Sequence, residues 1–231
     1  MRWGNAKRCD DRVWLTHAAC MEPIAGASYS YRIPLMTSQV ERIFGSASKN
    51  LEEYALQSQI SQAEAKKYFI ERFRIGKWRR TGIIWWNVID GWPQISDAVV
   101  DWYGCKKLAY HYIKTSQTPF CMMVDEPENG DLTLCAANDT QEEKTVRYTV
   151  TNLATGNTIL AGECTVPADT TVRLSRFPEE AGACYLIRWE GDESGRNHFT
   201  AAIGDGITLA SYSQWMKELG YWELLEGFEN T

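Results

Sequence analysis

From residue 120 onward, short apolar-rich runs alternate with turn residues at intervals of roughly ten positions, the spacing of an all-β domain. FCMMVDE, DLTLCAAND, KTVRYTVTNL, NTILAGECTVP, TTVRLSRF and ACYLIRWE each read as a strand, with Glu-Asn-Gly, Ala-Thr-Gly and Ala-Asp-Thr as breaks. Such a series predicts an antiparallel sandwich of the immunoglobulin type. Asn-Asp-Thr at 138–140 and Asn-Leu-Ala-Thr-Gly at 152–156 mark hairpin turns. A last helix is expected near LASYSQWMKELG, ended by Gly220, before an acidic aromatic tail.

The first half carries a different period. Residues 1–34 hold no sustained pattern and read as loop. In LMTSQVERIF, Leu35, Val40, Ile43 and Phe44 recur at helical spacing and Gly45 supplies a stop. Asn50 caps a longer helix over 51–75, with Glu53 placed to reach back to it and Gly76 at its end. The apolar positions Tyr54, Leu56, Ile60, Ala63, Tyr68, Ile70 and Phe73 wind round more than one stripe, which predicts packing on two neighbours. TGIIWWNVIDGWP then reads as a buried strand over 82–90 whose end mixes aromatics with polar groups, and CKKLAYHYIKTSQ as a helix closed by Pro119. Helix, apolar strand and helix in succession argue for a βα-repeat architecture. A single such unit cannot bury its own faces, so the pattern points to part of something larger.

Composition narrows the partners. The 231 residues are 44% hydrophobic, enough for a sizeable core, in one large domain or two small ones. A formal net charge of −6, with Lys77-Trp78-Arg79-Arg80 as the one basic cluster, gives no phosphate-tracking surface, so nucleic acid is not expected. No run reaches the roughly 18 apolar residues of a membrane span, and no membrane partner is expected. Seven cysteines, at 9, 20, 105, 121, 135, 164 and 184, form no CxxC pair and no zinc-site spacing. They read as reduced thiols in a cytoplasmic protein, with an exported chain carrying one spare thiol as the alternative. The opening MRWGNAKRCDD is polar where a signal peptide needs an apolar run, and it reads like the middle of a protein.

Taken in order over nearly the whole chain, EEYALQSQISQAEAKKYFIERFR, GIIWWNVIDGWP, VVDWYGCKKLAYHYIK, the NDT turn and VTNLATGNTILAGECTVPA resemble the C-terminal third of a β-mannosidase-like enzyme of glycoside hydrolase family 2. The resemblance implies an α/β part followed by an all-β part. A C-terminal remnant of a (β/α)8 barrel would occupy 1–118, with its last strand at about 82–90, the preceding helix at 50–76 and the closing helix at 104–117. An immunoglobulin-like β-sandwich would follow at 119–203, then a helix and tail at 204–231. WLTHAAC would belong to the loop after the seventh strand, and active sites of such barrels lie at the carboxyl ends of the strands.

Retaining glycoside hydrolysis needs two carboxyl groups about 5 to 5.5 Å apart. The family's two catalytic glutamates come from earlier strands, and their motifs are not found here. The implied function is the C-terminal fragment of a retaining, exo-acting glycoside hydrolase. It would supply the aromatic floor for a β-linked glycoside, preferentially a mannoside, with no catalytic residue of its own and no activity alone. No cofactor or metal is expected. The alternative is a non-catalytic glycan-binding or structural sandwich module.

By the same resemblance, Trp86 matches the tryptophan that forms a platform under the sugar. An indole face suits the C–H face of a pyranose while its N–H can still donate. Read alone, a tryptophan in an apolar run is a core residue, and Trp85 would face the other side of the strand. Asn87 and Asp90 either bond sugar hydroxyls or hold the loop; the family commonly has Asn-Asp where this chain has Ile89-Asp90. Trp92 is a rim aromatic or a packing residue, and His17 orients a hydroxyl or is structural. His111 and His198, the latter in a GRNHF turn, read as structural, and the three histidines make no metal constellation. Glu22, Glu41, Glu52, Glu53 and Glu64 carry no motif for paired catalysis and mostly fall on helix surfaces or caps.

Overall fold

The computed structural model describes residues 17, 32–201, 203–204 and 206–226. The loop reading of 1–31 and the positions Cys9, Cys20 and Glu22 lie outside the described residues, His17 excepted. Helix α1 (Arg32–Phe44) starts earlier than its apolar spacing predicted and ends at Gly45, whose φ of 73° is the left-handed stop expected there. Helix α2 (Leu51–Ile75) has the predicted bounds, and Asn50 Oδ1 accepts from the amides of Glu52 and Glu53 at 3.0 and 3.1 Å. Glu53 does not close the box directly. Ser48 Oγ donates to its carboxylate at 2.6 Å and accepts from the Asn50 amide at 3.1 Å, so a hydroxyl relays the contact.

The strand expected over 82–90 does not form a ladder. Exposure alternates residue by residue from Gly82 to Val88, the period of a strand, but among the described residues its one pairing is an isolated bridge from Ile89 to Val100. Among the described residues the segment has one short neighbour, through Val99 N to Asn87 O at 3.2 Å and Val100 N to Val88 O at 2.9 Å, and a ladder needs more than that. Helix α3 (Leu108–Ser116) follows, with its first amide satisfied at 2.9 Å by Gln59 Oε1 of α2.

Seven antiparallel strands build the second half: β1 (Phe120–Glu128), β2 (Asp131–Asn138), β3 (Lys144–Asn152), β4 (Thr158–Val166), β5 (Thr170–Pro178), β6 (Cys184–Gly191) and β7 (Gly195–Thr200). One sheet has the order β1-β2-β5 and the other β4-β3-β6-β7. The first six are the runs expected from the pattern. The GRNHF stretch read as a turn is β7, paired from Trp189↔Gly195 to Cys184↔Thr200. Its buried positions Asn197, His198 and Thr200 are polar, so no apolar alternation announces it.

Two cores result. Phe120, Leu134, Val150, Tyr185, Ile187 and Trp189 fill the space between the sheets. Ile60, Leu108, Tyr112, Leu186, Tyr212 and Met216 fill a second core between the helices and the outer face of β6. Each fully buried aliphatic chain there contributes about 1.5–3 kcal/mol. Helix α4 (Leu209–Leu219), held by a reciprocal Thr208–Ser211 cap and stopped at Gly220, packs into that second core. Among the described residues, no helix is long and apolar enough to cross a membrane.

Candidate functional site

A groove of about 560 Å³ opens on the helical side of the molecule. Helix α2 presents Ala55, Ser58, Gln62, Lys66 and Phe69 along it, positions three and four apart that share one helix face. Leu35 and Met36 of α1, Ile83 to Trp86, and the polar Ser96, Asp97 and Lys107 also line it. Gln62 Nε2 ties α2 to these polar residues by donating to Asp97 O at 2.7 Å.

Trp86 lies on this groove, 71% exposed, so the core reading of an apolar-run tryptophan does not apply to it. Trp85 is more covered. Lys66 links the pair: its Nζ donates to Trp86 O at 2.8 Å and stands 4.8 Å from the Trp85 ring centroid, a cation–π distance. Burial pushes the Lys66 ammonium below its ordinary pKa; Asp97 opposes that shift and Lys107 adds to it. Asn87 follows across a cis peptide bond, and its Oδ1 is a buried acceptor without a partner among the described residues.

Asp90 is placed differently. It is buried, its Oδ1 accepts from Gln94 Nε2 at 3.1 Å and from Ser96 Oγ, and its Oδ2 faces Lys107 Nζ at 3.3 Å. Lys107 Nζ also donates to Ser96 O at 3.3 Å. Of the two roles open for Asp90, this geometry is that of loop architecture: the carboxylate pins residues 90–97 to the start of α3. His17 and Trp92 meet each other, with rings 5.7 Å apart and 29° from parallel. His17 Nδ1 donates to Pro93 O at 2.8 Å, which fixes the tautomer at that nitrogen, and His17 O accepts from Ile95 N at 2.7 Å. Trp86 thus stands on the groove, with Asn87 beside it in the chain; His17, Trp92 and Asp90 support the loop that carries Ser96 and Asp97.

Among the described residues lining the groove, Asp97 is the one carboxylate, where retaining hydrolysis would require two. Among the described residues, no cluster of His, Cys, Asp and Glu converges as metal ligands.

A second polar constellation, unannounced by the sequence, lies inside the molecule. Glu64, expected on a helix surface, is buried, and its Oε1 accepts from His198 Nε2 at 3.1 Å, Thr200 Oγ1 at 2.8 Å and Tyr212 OH at 2.5 Å. Burial alone would raise the Glu64 pKa, but His198, Lys67 and Tyr212 together outweigh it and hold the carboxyl at about 2. One turn on, Lys67 pairs with Glu71 at 2.9 Å, and Glu71 Oε1 accepts from Asn197 Nδ2 at 2.8 Å and Ser116 Oγ at 3.2 Å. None of these residues lines the groove. They join α2 to β7, α3 and α4.

No protein-family model matches the chain, and no curated protein matches it. Solved structures do. The β-D-mannosidase of Dictyoglomus thermophilum is similar over 77% of this chain and 23% of its own, with a TM-score of 0.66 and 23% identity. The exo-chitosanase of Amycolatopsis orientalis, in complex with PNP-β-D-glucosamine, is similar over 86% of this chain and 24% of its own, with a TM-score of 0.62 and 16% identity. The same enzyme, an exo-β-D-glucosaminidase, inhibited by a glucosamine-configured castanospermine, gives 86%, 24%, 0.61 and 19% in the same order. The chain therefore has the fold of a portion of these proteins, helices on antiparallel sheets, and spans about a quarter of their length.

Proposed function

We propose that this chain is the C-terminal part of a retaining, exo-acting glycoside hydrolase of the β-mannosidase-like kind in family 2. It provides the last strand of a (β/α)8 barrel at 82–90, the aromatic floor of the sugar site, and the sandwich that follows from about 119. The observation that carries this reading is Trp86: a large indole left exposed on an apolar groove, in a fold shared with solved glycosidases. An indole face standing over an apolar groove offers a platform for the C–H face of a pyranose. Beside it in the chain stands Asn87, whose side chain would turn its Oδ1 toward a sugar hydroxyl once the site is complete, while Trp92 and His17 shape the rim and Asp90 holds the loop. The glycoside is β-linked, with mannose preferred over glucosamine. The strand completes its ladder when the other barrel strands are beside it, and both catalytic carboxylates come with those strands. The free cysteines Cys121, Cys135, Cys164 and Cys184 favour a cytoplasmic setting.

Two measurements test this. The purified chain should not hydrolyse an aryl β-mannoside; hydrolysis abolished by mutating one of its own glutamates would overturn the reading. Methyl β-mannoside should quench or shift the tryptophan fluorescence of the wild type, and Trp86→Ala should remove that response at unchanged stability, within about 0.5 kcal/mol for an exposed position. An undiminished response in Trp86→Ala would assign the sugar elsewhere.

A further inference from the structure

We propose that Lys66 is a positioning residue for the sugar platform: from helix α2 its ammonium holds the Trp85-Trp86 pair so that the Trp86 indole stands turned to the groove. The inference rests on the glycoside reading and adds a residue that the reading does not include. Lys66 belongs to a row. Gln59, Gln62 and Lys66 lie three and four positions apart on one face of α2. Each reaches the backbone of a different segment: Gln59 Oε1 accepts from Leu108 N at 2.9 Å, Gln62 Nε2 donates to Asp97 O at 2.7 Å, and Lys66 Nζ donates to Trp86 O at 2.8 Å. One helix face thereby fixes the start of α3, the loop that carries Asp97, and the tryptophan pair.

A third glutamine could also bond the Trp86 carbonyl. Only a cation is attracted to the face of an indole as well, and the Lys66 ammonium stands 4.8 Å from the Trp85 ring centroid. One group thus grips two neighbours in the chain, the first by its ring and the second by its carbonyl. Exposure alternates along 82–88 as in a strand, with Trp85 partly covered and Trp86 exposed. Holding the Trp85 ring and the Trp86 carbonyl therefore sets the face to which the Trp86 indole turns.

The charged groups facing the ammonium are Asp97, from the loop, and Lys107, from the start of α3. Among the described residues lining the groove, α1 contributes Leu35, Met36 and Gln39, none of them charged. A half-buried ammonium between these groups gives up its proton more readily than an ordinary lysine. The grip should accordingly loosen on the alkaline side.

The test is titration of the tryptophan fluorescence of the full chain with methyl β-mannoside, from pH ~7 to pH ~10, together with the urea midpoint of each protein. The proteins are the wild type, Trp86→Ala, Lys66→Met and Lys66→Arg. Lys66→Met keeps the stem and loses both contacts; with about a tenth of the molecules then holding Trp86 in place, apparent affinity falls roughly tenfold. Lys66→Arg keeps a charge, a donor and the ring contact, and should bind within about threefold of the wild type. Toward high pH the wild type should lose affinity while Lys66→Arg holds its own and Lys66→Met stays weak throughout. Wild-type affinity in Lys66→Met, with or without a lower urea midpoint, would make Lys66 a structural residue and overturn the proposal. So would a Lys66→Arg as weak as Lys66→Met, which would assign the effect to packing. A wild type without a response, or a response that survives Trp86→Ala, would instead fail the glycoside reading and take this role with it.

Discussion

Replacing Glu64 by glutamine removes one charge from the enclosed network between α2, β7 and α4 while nearly preserving shape. In the folded chain the Glu64 carboxyl titrates at about 2, against an ordinary value of 4.5. The folded value is the depressed one, so the stabilisation is fully present above about pH 4.5 and is lost as pH falls through about 2. The difference in pKa corresponds to about 3 kcal/mol. Below that window a protonated glutamate and a glutamine are nearly equivalent, and the two proteins should be equally stable. Urea unfolding followed by tryptophan fluorescence, from neutral pH down to pH ~2, gives the gap between wild type and Glu64→Gln at each step. Titrations of groups remote from Glu64 are common to both proteins and cancel in that gap. It should be about 3 kcal/mol near neutrality and shrink toward zero in acid. A gap that does not change with pH, or a variant more stable than wild type at pH ~7, would refute the reasoning.

Two further outcomes rest on burial. Lys107→Met leaves the Asp90 carboxylate buried without its cation, at a cost of about 3–5 kcal/mol, and urea unfolding should show it together with faster amide exchange over 90–97. Burial pushes the Cys121 thiol up to about 12, so at neutral pH it stays protonated and inert. Mass spectrometry after iodoacetamide treatment should find Cys121 labelled in urea and not in the native protein; native labelling at a comparable rate would contradict its burial.

What the sequence disclosed followed from local chemistry. The Asn50 cap, the Gly45 and Gly220 stops and the six apolar-rich strands are each set by a few adjacent residues, and all of them stand where the pattern put them. Trp86 was singled out by a family resemblance, and its exposure could not have been read from an apolar run. The buried row Glu64, Lys67 and Glu71 was hidden for a different reason. On a helix these residues look like a solvated face, and only partners such as His198, 134 residues away, make their burial tolerable. Strand β7 escaped for the same cause, because its inward side chains are the polar halves of those pairs. The 82–90 stretch shows the converse: strand periodicity is a local property, while a ladder requires neighbours.

Strand β6 faces two ways. Tyr185, Ile187 and Trp189 belong to the core between the sheets, while Cys184 and Leu186, alternating with them, belong to the core under the helices. The two halves of the chain are thereby welded into one cooperative unit: melting the helices strips the back of a central strand, and melting the sandwich removes the floor on which the helices rest. Severing the chain near Pro119 would not release a self-sufficient sandwich module but one with a raw apolar stripe along its middle. That consequence weighs against regarding the β-rich half as a portable domain.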